Sequence, residues 1–122
     1  MTKIVFFKKN GVYHGFRETG HSEFADAGQD IVCAAISAMT MLVINAIEVA
    51  YASDVDYDID EETTNIRVAC SSALPDCESD EKKRYAVSGL IMAYYYQLND
   101  LVLEYYDYLE VEVIEKEYEG NK

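Results

Sequence analysis

A cysteine and a histidine in the first third of the chain are the residues whose types and spacing best suit a chemical role. His21 precedes Cys33 by one short segment. A thiolate is a strong nucleophile, and an imidazole can take the thiol proton and return it to a leaving amine near neutral pH. The pair therefore predicts nucleophilic chemistry, although each residue alone is more often a buried apolar cysteine or a solvated loop histidine.

The residues just before Cys33 favour the start of a helix. Asp30 has the chemistry of an N-cap and precedes a long apolar run to about residue 52. A cap at Asp30 places Cys33 in the first turn, where free backbone N–H groups and the helix dipole favour a thiolate and can bind an oxyanion. At about 100° per residue, the polar side chains of the run share one side of this helix: Cys33, Ser37, Thr40 and Glu48.

The segment that carries His21 is predicted to be a polar loop, residues 19–29. Gly20 and Gly28 lie near its two ends and give it the freedom to fold the imidazole back towards the helix. Asp30 has a second interpretation, as the carboxylate that orients His21. The capping and orienting roles are compatible with one another.

The remaining histidine and cysteines favour structural roles. His14 lies in the middle of a predicted strand, which is typical of a core or dimer-face histidine satisfied by a neighbour. Cys70 and Cys77 are spaced more widely than the close cysteine pairs of zinc sites, so free structural thiols are favoured. A zinc site that adds Cys33 and His21 is the less favoured alternative, and we expect no metal and no cofactor.

The acidic run at residues 54–62 and the tyrosines also favour structural roles. An EF-hand loop beginning at Asp54 needs glycine and glutamate where the chain has Ile59 and Asn65. The aspartates instead predict the solvated side of an edge strand. The 11 tyrosines have few neighbouring cations, which favours packing in the core and at interfaces over base stacking.

The order of elements predicts an α+β fold. Alternating patterns indicate strands at 3–8, 12–18, 54–60, 65–70 and 109–118, and longer apolar runs indicate helices from Asp30 to about 52 and from a Ser79 cap to about 105. Asn10 and Gly11 suit a tight hairpin between the first two strands. The order ββαββαβ predicts two layers, with both helices on one face of a mostly antiparallel sheet and the last strand at an edge. We expect one domain over residues 1–122.

Charge and cysteine content limit the partners. The chain has 23 acidic and 10 basic side chains among 122 residues, a formal net charge of −13. This surface repels nucleic acid and attracts basic partners. Three cysteines and an alternating, strand-like N-terminus predict a cytoplasmic protein with reduced thiols. Polar residues interrupt the apolar segment 31–51, which favours a helix at the centre of the fold or in a subunit interface over a membrane span.

Residues 20–37 resemble the signature of the ribosomal-processing cysteine protease family, Prp. Their sequence is GHSEFADAGQDIVCAAIS. It contains the family's Gly-His pair, its Gly-x-Asp and its Val-Cys-Ala-Ala-x-Ser segment at matching spacing. Ser22 stands where the family often has alanine, which leaves the catalytic pair intact. Chain length and the predicted element order fit the family as well.

This resemblance implies a role for each motif residue. His21 is then the catalytic histidine and Cys33 the nucleophile, supported by Gly20, Gly28, Asp30 and Ser37. Family members are cytoplasmic homodimers packed through helices. They remove the N-terminal extension of large-subunit ribosomal protein number twenty-seven, whose cleavage site is rich in hydrophobic and aromatic residues.

Two further hypotheses come from other functional classes. One is a non-catalytic acidic binding partner or chaperone of a basic ribosomal protein, whose binding would survive loss of Cys33. The other is a small zinc-binding module, which would carry about one equivalent of zinc. The protease hypothesis requires instead that cleavage depend on Cys33.

Overall fold

The structure is a computed structural model that describes residues 1–20 and 27–118. Within those residues the elements follow the predicted order ββαββαβ. The strands are β1 (Thr2–Lys9), β2 (Val12–Thr19), β3 (Asp56–Ile59), β4 (Ile66–Ala69) and β5 (Leu109–Glu115). The helices are α1 (Ala27–Asn45), which continues as a π-helical turn (Ala46–Ala50), and α2 (Glu81–Tyr105), with a 3-10 turn at Ser71–Ala73 between β4 and α2.

The described strands form one open sheet in the order β3-β4-β2-β1-β5. β1 pairs antiparallel with β2 and parallel with β5, and the remaining pairs are antiparallel. Asn10 and Gly11 both have positive φ, at 52° and 80°, as the predicted tight hairpin requires. The mostly antiparallel sheet, its two hairpins and the edge positions of β3 and β5 are confirmed.

The core lies between the sheet and the two helices. Ile4 and Phe6 of β1 alternate with less buried neighbours, so one face of the strand supplies the core. Phe6 makes ring contacts with Phe16 and with Tyr94 of α2, at centroid distances of 5.3 and 5.6 Å. The prediction that tyrosines pack in the core is confirmed for Tyr94, and other tyrosines, such as Tyr85, are exposed.

Both predicted helix caps were wrong. α1 begins at Ala27, so Asp30 is an exposed residue of its first turn and not the N-cap. Gln29 is buried within this additional turn, and such tertiary contacts are invisible to a rule based on local capping chemistry. α2 is capped by Asp80, whose side chain accepts a hydrogen bond from the Lys82 N–H at 2.9 Å, one residue beyond the predicted Ser79.

The apolar helix α1 is not buried on all sides. Ile36, Val43 and Ile44 face the core, whereas Ile31 and Leu42 are 51% and 62% exposed. The described fold therefore does not enclose α1 on all sides, and the alternative of a subunit interface stays a prediction. The segment Ala27–Ala50 is long and apolar enough to cross a membrane by length and composition, and about a third of it is buried in the described structure.

Candidate active site

The thiol of Cys33 lies between the start of β1 and the first turns of α1. Cys33 is half-buried, and its Sγ is 3.5 Å from Gln29 Nε2 and 3.9 Å from Thr2 Oγ1. Gln29 Nε2 also donates to Thr2 Oγ1 at 2.9 Å. Thr2 is fully buried and Gln29 is 5% exposed. A half-buried thiol between two buried polar side chains is held in place and can still meet a substrate.

The helix N-terminus does not act on Cys33 as the sequence predicted. Because α1 begins at Ala27, Cys33 lies beyond the first turn, whose backbone N–H groups are the ones that lack intrahelical acceptors. The prediction that Cys33 lies in the first turn of the helix, where these groups are found, was wrong. In their place the structure supplies side-chain groups from Gln29 and Thr2.

Close packing requires glycine at two positions of the motif. The sequence alone suggested a different reason, the conformational freedom of a loop. Gly20 has φ of +85°, and a Cβ there would lie 2.2 Å from the carbonyl oxygen of Met1. A Cβ on Gly28 would lie 2.4 Å from the ring of Tyr108. The Tyr108 carbonyl also accepts the Thr2 N–H at 2.9 Å. Tyr108 therefore fixes the start of α1 and the start of β1 next to the thiol.

We expect Gly20→Ala to lower stability by more than about 2 kcal/mol, since left-handed strain costs roughly 1–3 kcal/mol and the backbone clash adds to it. Gly11 and Gly89 provide matched controls for urea unfolding. Gly11→Ala has the same strain at φ +80° with open space around it, so it should cost less. Gly89→Ala, in an open position on α2, should stabilise by up to about 1 kcal/mol. Equal losses in Gly20→Ala and Gly11→Ala would contradict the close approach.

The structure describes some of the other predicted site residues but not all of them. His21 lies outside the described residues, so its predicted pairing with Cys33 stays a prediction. Ser37 and Glu48 are exposed as expected of a polar helix side. Thr40 is buried, and its hydroxyl donates to Glu18, so this member of the predicted polar cluster contacts the protein interior.

Glu18 is a buried carboxyl group that the sequence interpretation missed. It lies on β2, two residues before Gly20, and its Oε1 accepts hydrogen bonds from Thr40 and, at 3.1 Å, from Tyr94. Burial raises the pKa of Glu18 to about 7, and the two hydrogen bonds oppose that rise. Strand alternation could have found it, because Glu18 follows the core residue Phe16 by two positions.

The remaining histidine and cysteines occupy separate places. His14 is buried, and its Nε2 lies 2.8 Å from the carbonyl oxygen of Lys116, as predicted for a core histidine satisfied by a neighbour. Burial lowers the pKa of His14. Cys70 is buried, with a thiol pKa raised to about 12, and Cys77 is exposed. Within 1–20 and 27–118, no three His, Cys, Asp or Glu side chains are grouped to hold a metal ion.

Comparison with known structures supports the same fold. The crystal structure of SMU.848 from Streptococcus mutans has a TM-score of 0.77 and 27% identity, covering 95% of this chain and 99% of that one. The crystal structure of an essential ribosomal processing protease Prp from Staphylococcus aureus, in complex with a substrate peptide, also has a TM-score of 0.77. It is 16% identical and covers 93% of this chain and 100% of that one, a likeness of fold.

Comparison of sequences adds the family. A family model described as cysteine protease Prp matches residues 1–110. The ribosomal processing cysteine protease Prp of Bacillus subtilis strain 168 is 31% identical over 96 residues, which is 79% of this chain and 81% of that protein. These two matches confirm the resemblance found in residues 20–37. The chain belongs to the Prp family, and it is a cysteine protease.

Proposed function

We propose that the chain is an endopeptidase that removes the N-terminal extension of large-subunit ribosomal protein number twenty-seven, with Cys33 as nucleophile and His21 as base. The observation that carries this proposal is the half-buried Cys33 thiol, fixed between Gln29 and Thr2 in a chain of the Prp family. The Bacillus subtilis relative is named as a ribosomal processing protease, which supports a ribosomal protein as substrate. A net charge of −13 suits a basic ribosomal substrate, because opposite charge steers encounter.

The proposed reaction proceeds through a thioester. His21 takes the thiol proton, and the Cys33 sulfur attacks the scissile carbonyl carbon. The tetrahedral intermediate collapses, the peptide C–N bond breaks, and His21 returns the proton to the leaving amine. Water then hydrolyses the thioester and releases the N-terminal fragment as a carboxylate. Asp30 and Ser37, one turn before and after Cys33 on α1, are the proposed supporting residues.

The test of substrate is to incubate the protein with full-length ribosomal protein number twenty-seven of the same organism and to follow its mass. We expect the loss of one defined N-terminal fragment. An intact substrate that carries an extension would overturn this substrate assignment. Stable binding without any cleavage would favour the non-catalytic binding partner instead.

We also propose a cytoplasmic homodimer that forms through α1. The three cysteines are free thiols, which suits a reducing compartment. Exposed Ile31, Met41 and Leu42 lie on α1, and an apolar groove of about 210 Å³ runs between α1 and α2 beside Met39 and Leu90. Apolar surface of this kind is typical of a subunit interface.

Sedimentation of the wild type should give a dimer mass. Leu42→Glu should give a monomer, because a carboxylate would be desolvated in the apolar interface. Leu103→Glu is the matched control, since Leu103 is 80% exposed on α2 and does not line that groove. A wild-type monomer at micromolar concentration would contradict the dimer.

A further inference from the structure

The side chains that surround the Cys33 sulfur carry a further inference. Gln29 Nε2 lies 3.5 Å from Sγ and 2.9 Å from Thr2 Oγ1. Thr2 Oγ1 lies 3.9 Å from the same sulfur. The three side chains contact one another pairwise, and two of them, Gln29 and Thr2, are buried.

The Gln29 amide faces the sulfur with its nitrogen, and this nitrogen can only donate a hydrogen bond. Its NH₂ group has two hydrogens, so one can point to Thr2 Oγ1 and the other to Sγ. A hydroxyl that accepts from Gln29 keeps its own hydrogen, which is then available for the sulfur. A hydrogen bond to a charged group is stronger than one to a neutral group, so both donors favour the thiolate over the thiol.

The surroundings of these three side chains keep both donors in place. Gln29 lies one helical turn before Cys33, so the two side chains share one side of α1. Thr2 is anchored by its backbone N–H, which donates to the Tyr108 carbonyl. Tyr108 also packs against Gly28, the residue before Gln29. Donors fixed in advance stabilise a developing charge without the cost of reorganisation.

We propose that the Gln29 amide and the Thr2 hydroxyl are the hydrogen-bond donors that hold the Cys33 sulfur as a thiolate, ready to attack a peptide carbonyl. This inference rests on the proposed role of Cys33 as nucleophile. The thiol proton leaves for the base, proposed to be His21, and the two donors then share the negative charge on sulfur. Both residues lie outside the pair of nucleophile and base, and Thr2 lies outside the motif altogether.

The test measures alkylation of Cys33 by iodoacetamide against pH, read by peptide mapping. In Gln29→Met, which matches the side-chain length without a donor, we expect Cys33 to react about tenfold more slowly at pH 7, with the pH midpoint moved upward. In Gln29→Glu the carboxylate should slow it further. Thr2→Val should slow it less than Gln29→Met, because its oxygen is farther from Sγ, and Thr2→Ser should restore the wild-type profile.

Exposed Cys77 in the same molecule is the internal control, since its alkylation should be the same in every variant. An unchanged Cys33 profile in a folded Gln29→Met protein would overturn the inference. If Gln29→Met does not fold, the comparison of Thr2→Val with Thr2→Ser decides, and identical profiles there would overturn it. Alkylation needs no substrate. If the variants shift the pH profile of Cys33 alkylation but the wild type cleaves no substrate, Gln29 and Thr2 are donors to the thiolate and the proposed function is refuted.

Discussion

Replacing Cys33 with alanine should abolish peptide cleavage, with a fall in kcat/KM of at least about 10³-fold, because the proposed thioester forms on the Cys33 sulfur. Cys33→Ser should be nearly as inactive, since a hydroxyl is a far weaker nucleophile than a thiolate at neutral pH. Both proteins should fold, because Cys33 is half-buried and the two changes remove or replace a single atom. Cleavage of a peptide that spans the processing site gives the rates.

The other two cysteines supply the controls for this experiment. Cys77 is exposed and distant in sequence from the motif, so Cys77→Ser should cleave at the wild-type rate. Cys70 is buried, and its thiol pKa is raised to about 12, so it stays protonated and unreactive at neutral pH. Cleavage by Cys33→Ala at more than a tenth of the wild-type rate would show that another residue is the nucleophile.

The second large expected effect is a change of protein stability with pH that is caused by the buried Glu18. Its pKa rises on folding from 4.5 to about 7, chiefly because of burial. The folded state therefore keeps this proton over a range in which the unfolded state has lost it. The stabilisation of the folded state by protonated Glu18 is fully present below pH 4.5. It is lost as pH rises to about 7, which lowers the free energy of unfolding by roughly 3 kcal/mol.

Glu18→Gln removes this titration and still offers a carbonyl oxygen to Thr40 and Tyr94. Relative to wild type, the variant should gain up to roughly 3 kcal/mol of unfolding free energy between pH 4.5 and 8, measured with urea. Glu48→Gln removes one exposed carboxylate of α1 and controls for the change in net charge. A difference between Glu18→Gln and wild type that stays constant with pH would contradict the burial of a titrating carboxyl.

Most of the fold was predictable because its elements have strong local signals. Positive φ at Asn10 and Gly11 follows from the residue types, and the alternation in β1 and β5 fixes which face is buried. With Asp30 and Ser79 as caps, the predicted first helical residues are Ile31 and Asp80. The helices begin at Ala27 and Glu81, four residues earlier and one residue later. At α1 the reason is tertiary, because Gln29 and Gly28 gain contacts with Thr2 and Tyr108 that no local rule contains.

The site was predictable only where it is carried by the motif. The motif includes Cys33. Among the described residues, the groups that contact its sulfur come from Gln29, the middle residue of Gly-x-Asp, and from Thr2 near the start of the sequence. A contact between residues 2 and 33 depends on how β1 docks against α1. Sequence spacing could not reveal it, and spacing likewise could not show that Gly20 abuts Met1.

The most direct test of the account is to capture the covalent intermediate. The protein is mixed with the precursor peptide, quenched in acid within milliseconds to seconds, and digested for mass spectrometry. We predict that the peptide containing Cys33 gains the mass of the N-terminal fragment less one water, as a thioester requires. Cleaved precursor with no adduct at Cys33 at any time, or with the adduct on another residue, would contradict Cys33 as the nucleophile.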